Sequence, residues 1–180
     1  DTLNYSLRNY MTTVLDSAKS LLSLINDILD ISKIEAGEIN LELIDFDMEY
    51  LAENVIKLFT PKLRNKVLDI QLNYHKTVPR CFKGDPTRLR QILINIIGNA
   101  IKFTSEGQII IEIKEKEEDF DQSKSKKSCP GSIRNIILSI RDTGIGIPEE
   151  KQSSIFDIFK QGDSSVPIRF GGTGLGLSIA

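Results

Sequence analysis

The chain opens with an apolar row, Leu7, Met11, Val14, Ala18, Leu21, Ile25 and Ile28, whose steps alternate four and three. That spacing is a heptad seam. Leu15, Leu22 and Leu29 widen it into a stripe broad enough to pack against more than one helix. The pattern predicts one long helix ending near Ala36 and Gly37, where glycine accepts the left-handed cap conformation. The period then changes. Ile39, Leu41 and Leu43 alternate with polar residues and predict a half-buried strand. Asp47 reads as the N-cap of a helix carrying Leu51, Val55, Leu58 and Phe59 on one face. Leu68, Ile70, Leu72 and Tyr74 alternate as a second strand. In "GDPTRLRQILINIIGNAIKFT", Asp85 and Pro86 mark the cap and first turn of another helix, broken by Gly107. "QIIIEIKEKE" and "IRNIILSIRDTG" predict two strands that pair with each other across a polar insertion from Lys116 to Ser132. A short helix starting at Pro148 leads to Phe156 and Phe159, and Lys160 to Phe170 reads as a flexible flap. This order predicts an α+β fold: a two-layer α/β sandwich, a mixed sheet with helices on one face, preceded by the long helix.

Composition narrows the partners. At 180 residues and 40% hydrophobic, the chain accommodates one full core plus a smaller appendage. A net charge of −2 gives no nucleic-acid footprint. Cys81 and Cys129 match no metal-ligand spacing and read as free thiols in a reducing compartment. No apolar run approaches the ~20 residues of a membrane span. The heptad seam nevertheless calls for a partner helix, either one preceding this chain or a second copy of it.

Three stretches carry candidate chemistry. Gln91, Asn95 and Asn99 are spaced by four, and Lys102 follows on the same face. Solvated helix faces favour Glu, Lys and Arg, which are better helix formers than Asn. Stacked carboxamides beside a lysine instead supply oxygen ligands for a hard cation and a charge for phosphate. In "RDTGIGI", Asp142 ends an apolar strand, followed by Gly144, Gly146 and Ile147. A carboxylate there can accept a hydrogen bond from an exocyclic amine such as that of adenine, although a plain strand-closing turn looks the same. The third stretch, "GGTGLGLSIA", holds Gly172, Thr173, Gly174, Leu175 and Gly176. It is neither a Walker loop nor a Rossmann fingerprint. It reads as a glycine-rich turn whose N–H groups face an anion at a helix start, or as a hinge.

An Asn-x3-Asn helix, then Asp-x-Gly-x-Gly, then Gly-x-Gly-x-Gly closely resembles the nucleotide site of the GHKL ATP-binding superfamily. With "LLSLINDILDISKIEAGEINLE" and "IFDIFKQGD", the chain resembles a sensor histidine kinase of the hybrid type. The resemblance implies that residues 1–37 are the second helix of a dimerisation and phosphoacceptor bundle whose first helix is absent. Residues 38–180 would be a Bergerat-type catalytic domain, truncated at its C-terminus. ATP and Mg²⁺ are the implied cofactors, with Asn99 and Asn95 on the metal and Lys102 alongside. Asp142 would read the adenine amine, Phe103 would lie against the ring, and Gly172, Gly174 and Gly176 would cradle the phosphates. Lys160 to Phe170 would be a lid packed down by Phe156 and Phe159, with Arg169 reaching the terminal phosphate.

The implied reaction passes the ATP γ-phosphoryl to a histidine on a preceding helix, for relay to a receiver aspartate in cis or in trans. The implied assembly is a homodimer through the helix bundle, and the implied location is cytoplasmic, with a membrane-bound sensor as one form of the parent. His75 lies on or after a strand and off the seam, so it is not the expected acceptor. Hydrolytic members such as gyrases and heat-shock chaperones carry a glutamate four residues before the metal asparagine. Asn95 stands there instead, and an amide cannot take a proton from water. A non-catalytic dimerisation and signalling scaffold, or an ATPase, are the competing readings.

Overall fold

The structure, a computed structural model, describes residues 2–38, 40–64, 66–116, 133–153 and 155. The chain divides into two units, Leu41–Ile147 and a second made of the segments before Leu41 and from Pro148 onward. In the second unit the heptad pattern forms α1, Thr2–Glu35, a helix of 34 residues and about 50 Å at 1.5 Å per residue. Gly37, at φ 68°, ends it. The Glu38 N–H donates to the Lys33 carbonyl at 2.9 Å and the Gly37 N–H to that of Ile34 at 3.0 Å. This pair of bonds is a Schellman cap, which needs a left-handed residue where glycine stands. The seam residues Leu7, Met11, Val14, Leu21, Ile25 and Ile28 are all exposed in the single chain. Also in this unit is α4, Glu149–Gln152, entered from Pro148. No helix among the described residues is long and apolar enough to cross a membrane.

The Leu41–Ile147 unit contains β1 (Ile44–Asp47), α2 (Met48–Leu63), β2 (Val67–Tyr74), β3 (Cys81–Gly84), α3 (Pro86–Phe103), β4 (Glu106–Glu115) and β5 (Ile136–Asp142). Strands β2, β4 and β5 form a mixed sheet in that order, β2 parallel and β5 antiparallel to β4. Register explains the layering. Ile109, Ile111 and Ile113 of β4 share a face with Ile70, Leu72 and Tyr74 of β2 and with Ile140 and Leu138 of β5. That face is covered by Leu51, Val55 and Phe59 of α2 and by Leu93, Ile97, Ala100 and Ile101 of α3. Burying such side chains contributes about 1.5–3 kcal/mol each, so the two-layer α+β arrangement follows from the alternating strands and the apolar helix faces.

Two expectations shift in position. The first strand starts at Ile44, after Leu41 and Leu43, which are 61% and 58% exposed, while Ile39 lies outside the described residues. The cause is a contact from far along the chain: the Glu42 N–H donates to Asp85 Oδ2 at 3.1 Å rather than to a strand ladder. The partner of β1 is β3, an antiparallel strand the hydrophobic pattern did not reveal, with Phe46 opposite Phe82. The third helix ends at Phe103, four residues before Gly107. Leu58 also departs from expectation, lying exposed beside the buried row of α2. The Lys116–Ser132 insertion lies outside the described residues, apart from Lys116, whose N–H donates to the Asn135 carbonyl at 2.8 Å.

Both N-caps form as the sequence predicts. Asp47 Oδ1 accepts from the Tyr50 N–H at 2.9 Å, and Asp85 Oδ1 accepts from Thr87 and Arg88, each at 3.0 Å. The Arg88 and Glu42 amides hold the Asp85 carboxyl below its ordinary value. Stability from a carboxylate lowered in this way is fully present above the ordinary value and is lost as pH falls through the depressed one. Asp85→Ala is therefore expected to lower the urea midpoint at pH 7. The deficit against the unsubstituted protein should shrink on the acid side of about pH 4, where protonation removes the same bonds; a deficit that stays constant would contradict this role.

Candidate functional site

The polar stripe of α3 is set by the same periodicity that buries its apolar face. Leu93, Ile97, Ala100 and Ile101 point into the core, which turns Gln91, Asn95, Asn99 and Lys102 together toward another side, all half-buried. Gln91 Oε1 accepts from Arg88 at 3.1 Å. The Lys102 ammonium sits 4.7 Å from the centre of the Phe103 ring, within the range of a cation–π contact. Burial pushes the Lys102 amine below its ordinary pKa.

Asp142 ends β5 opposite Ile109, on the helix-facing side of the sheet. Its Oδ1 accepts from the Gly144 N–H at 2.9 Å and from the Thr104 hydroxyl at 3.4 Å. The Ile145 N–H donates to the Phe103 carbonyl at 3.4 Å. The turn after β5 is thus stitched to the exit of α3, and two motifs 38 residues apart become one surface. Gly144 makes the approach possible: a Cβ there would lie 2.5 Å from the Phe103 carbonyl oxygen and 2.8 Å from Asp142 Oδ1. Gly146, at φ 70°, turns the chain in the left-handed region that favours glycine. Ile145 and Ile147 are exposed on this turn, as is Phe103 at the helix end.

Of the residues expected at the site, Asn95, Asn99, Lys102 and Phe103 lie on α3, and Asp142, Gly144, Gly146 and Ile147 lie on the β5 turn bonded to its end. Arg169, Gly172, Thr173, Gly174, Leu175 and Gly176 lie outside the described residues, as do Phe156, Phe159 and the flap from Lys160 to Phe170. His75 follows β2 in a turn, its Nδ1 2.8 Å from the Thr77 hydroxyl and its carbonyl accepting from Val78. Residues that pattern reading missed complete the seam. Thr104 is fully buried. Lys66 donates to the carbonyls of Ile101 at 2.6 Å and Thr104 at 3.0 Å. The Thr143 hydroxyl accepts from the Gln108 N–H at 3.0 Å. The polar Thr at the helix exit was the one visible signal; its burial was not.

A helix presenting carboxamides and a lysine is thus joined at its end to an Asp-Gly turn. Residues 84–180 match the model of the histidine kinase-, DNA gyrase B- and HSP90-like ATPase family, and the chain belongs to that family. It is 43% identical over 172 residues to the signal transduction histidine-protein kinase BarA of Escherichia coli, covering 96% of this chain and 18% of that protein. To hybrid signal transduction histidine kinase A of Dictyostelium discoideum it is 40% identical over 177 residues, covering 98% of this chain and 8% of that protein. Among solved structures, full-length ShkA in complex with AMPPNP superposes with a TM-score of 0.71 at 32% identity, covering 96% of this chain and 32% of that one. The chain thus spans less than a fifth of either curated relative.

The tight fit at Gly144 yields a direct test. Gly144→Ala is expected to push the turn away from α3 and weaken Mg-ATP binding by about tenfold or more, since local strain of this kind is worth roughly 1–3 kcal/mol. Calorimetric titration with a melting curve on the same sample checks it. Affinity within error of the unsubstituted protein would show that the turn does not need this contact.

Proposed function

We propose that the chain is the catalytic module of a two-component histidine kinase, transferring the ATP γ-phosphoryl to a histidine on a helix preceding the described segment. The observation that carries this reading is the seam at the exit of α3. There the carboxylate suited to an adenine amine is bonded to the end of the helix that presents the carboxamides and lysine suited to phosphates. ShkA, bound to AMPPNP, supports the same assignment by resemblance.

Asn99 and Asn95 are the residues proposed to hold magnesium. Among the described residues no three His, Cys, Asp or Glu side chains cluster as metal ligands. Two carboxamide oxygens suit a hard cation that arrives already carrying phosphate oxygens and water. When bound, the metal draws charge from the phosphate oxygens. Lys102 supplies a positive charge beside them, and Phe103 an exposed ring against the base. The described residues end short of the glycine loop, so Gly172, Gly174 and Gly176 as phosphate cradle and Arg169 at the terminal phosphate rest on the resemblance; Thr173 and Leu175 belong to the same loop.

In the proposed transfer a neutral imidazole nitrogen attacks the γ-phosphorus. The new N–P bond forms as the bridging P–O bond breaks, and ADP departs with that electron pair. A free imidazole lone pair needs no strong base. Water does, and Asn95 offers an amide where the hydrolytic members resemble one another in carrying a carboxylate. That difference supports transfer over hydrolysis. The exposed seam of α1 supports a homodimer through a helix bundle, which would bring an acceptor helix within reach; relay to a receiver aspartate and a cytoplasmic location complete the proposal.

Calorimetry with Mg-ATP and Mg-GTP tests the reading. Adenine-selective binding that falls at least tenfold in Asp142→Asn supports it; indifference to that change in a folded sample favours a signalling scaffold. Lys102 gives a second test. Burial lowers its pKa in the free protein and a nearby phosphate raises it again, so binding takes up a proton only at pH above the depressed value. Affinity is then full below the depressed value and declines as pH rises through it, whereas Lys102→Arg keeps its charge and stays flat to about pH 10. An alkaline decline of equal size in Lys102→Arg would remove Lys102 from the phosphate site.

A further inference from the structure

Thr104 is the fully buried polar residue among those described. It stands at the C-cap of α3 in an extended conformation, φ −109° and ψ 114°, its N–H donating to the Ala100 carbonyl. Its carbonyl, with that of Ile101, is held by the Lys66 ammonium from the turn before β2. Two orphan carbonyls at a helix C-terminus are thus satisfied by a cation, where the helix dipole favours one. The Thr104 hydroxyl donates to Asp142 Oδ1 at 3.4 Å. A buried hydroxyl with this one acceptor cannot turn elsewhere without losing its bond.

The consequence falls on Asp142. Its Oδ1 accepts from both Thr104 and Gly144, while Oδ2 accepts no hydrogen bond among the described residues. One oxygen is anchored and the other is left for a ligand. Adenine presents an amine at the position where guanine presents a carbonyl oxygen. A fixed carboxylate oxygen accepts from the first and repels the second.

We infer that Thr104, set by Lys66, is a positioning residue for base specificity: its hydroxyl fixes the rotation of the Asp142 carboxylate so that Oδ2 faces the exocyclic group of the base. This rests on the reading of Asp142 as the adenine acceptor. The 3.4 Å separation suits a bond that tightens when the base loads the far oxygen, as site hydrogen bonds are often long in the free protein.

The experiment titrates the unsubstituted chain, Thr104→Val, Thr104→Ser and Lys66→Met with Mg-ATP and with Mg-GTP, after circular dichroism has verified each fold. Thr104→Val keeps the shape and removes the hydroxyl. It is expected to weaken ATP binding by about tenfold, the worth of one hydrogen bond to a charged group, with GTP binding little changed. Thr104→Ser is expected to restore the preference, and Lys66→Met to reduce it in the same direction by a smaller factor. A Thr104→Val protein that keeps its ATP-to-GTP ratio, or that loses both nucleotides equally, overturns the proposal and leaves Thr104 a helix cap. Should Thr104→Val fail to fold, an unchanged ratio in Lys66→Met overturns it instead. An unsubstituted chain indifferent to the base refutes the Asp142 reading, and this proposal with it, before any substitution is made.

Discussion

The exit of α3 is the constraint on which the site depends. A helix that ends in a protein interior must find partners for its last carbonyls, and here the Lys66 ammonium takes two of them. That arrangement lets the backbone leave the helix at Thr104, which in turn sets where β4 begins and how β5 meets the helix end. The Asp142 turn then packs so closely that its second residue can only be glycine, with the Phe103 carbonyl where a side chain would go. The site is therefore a property of a helix terminus and a strand terminus held together. Neither motif forms a surface alone.

The chemistry follows from what each element can present. Helical spacing aligns carboxamides and an ammonium on the face left over after Leu93, Ile97 and Ala100 are buried. The strand register places Asp142 on the helix side of the sheet rather than the open side, because it is opposite Ile109 and in step with Ile140. A one-residue slip would send the carboxylate to the other face and bring Arg141 in its place. The hydrophobic alternation of β5 is thus what aims the polar residue.

Much of this was legible in the sequence. The alternation from Leu68 to Tyr74, the Asp85-Pro86 helix start and the heptad seam each record a burial pattern, and burial acts at every turn or every second residue. The β3 strand was not legible, because four residues paired only with β1 carry too little alternation to stand out. Leu41 and Leu43 looked like a strand, yet the Glu42 amide is captured by a carboxylate 43 residues away. Asp142, Asn95 and Asn99 stand out as candidates through motif order, since the spacing within each motif is local. Thr104 and Lys66 do not, because a single buried hydroxyl and a cation at a helix end are defined by contacts across the chain. No local period marks them.

The parallel pairing of β2 with β4 has a kinetic consequence. Val67 lies beside Glu106, so the chain must cross over through β3 and α3 before the two strands can zip together. Closing so long a loop costs entropy before any ladder bond repays it. Lys66 reaches Thr104 across 38 residues, and Asp142 reaches it across another 38. Helix α3 can acquire its local shape early, but its end is completed only by contacts between residues far apart in the chain. On this topology the candidate site is among the last features the folding chain completes.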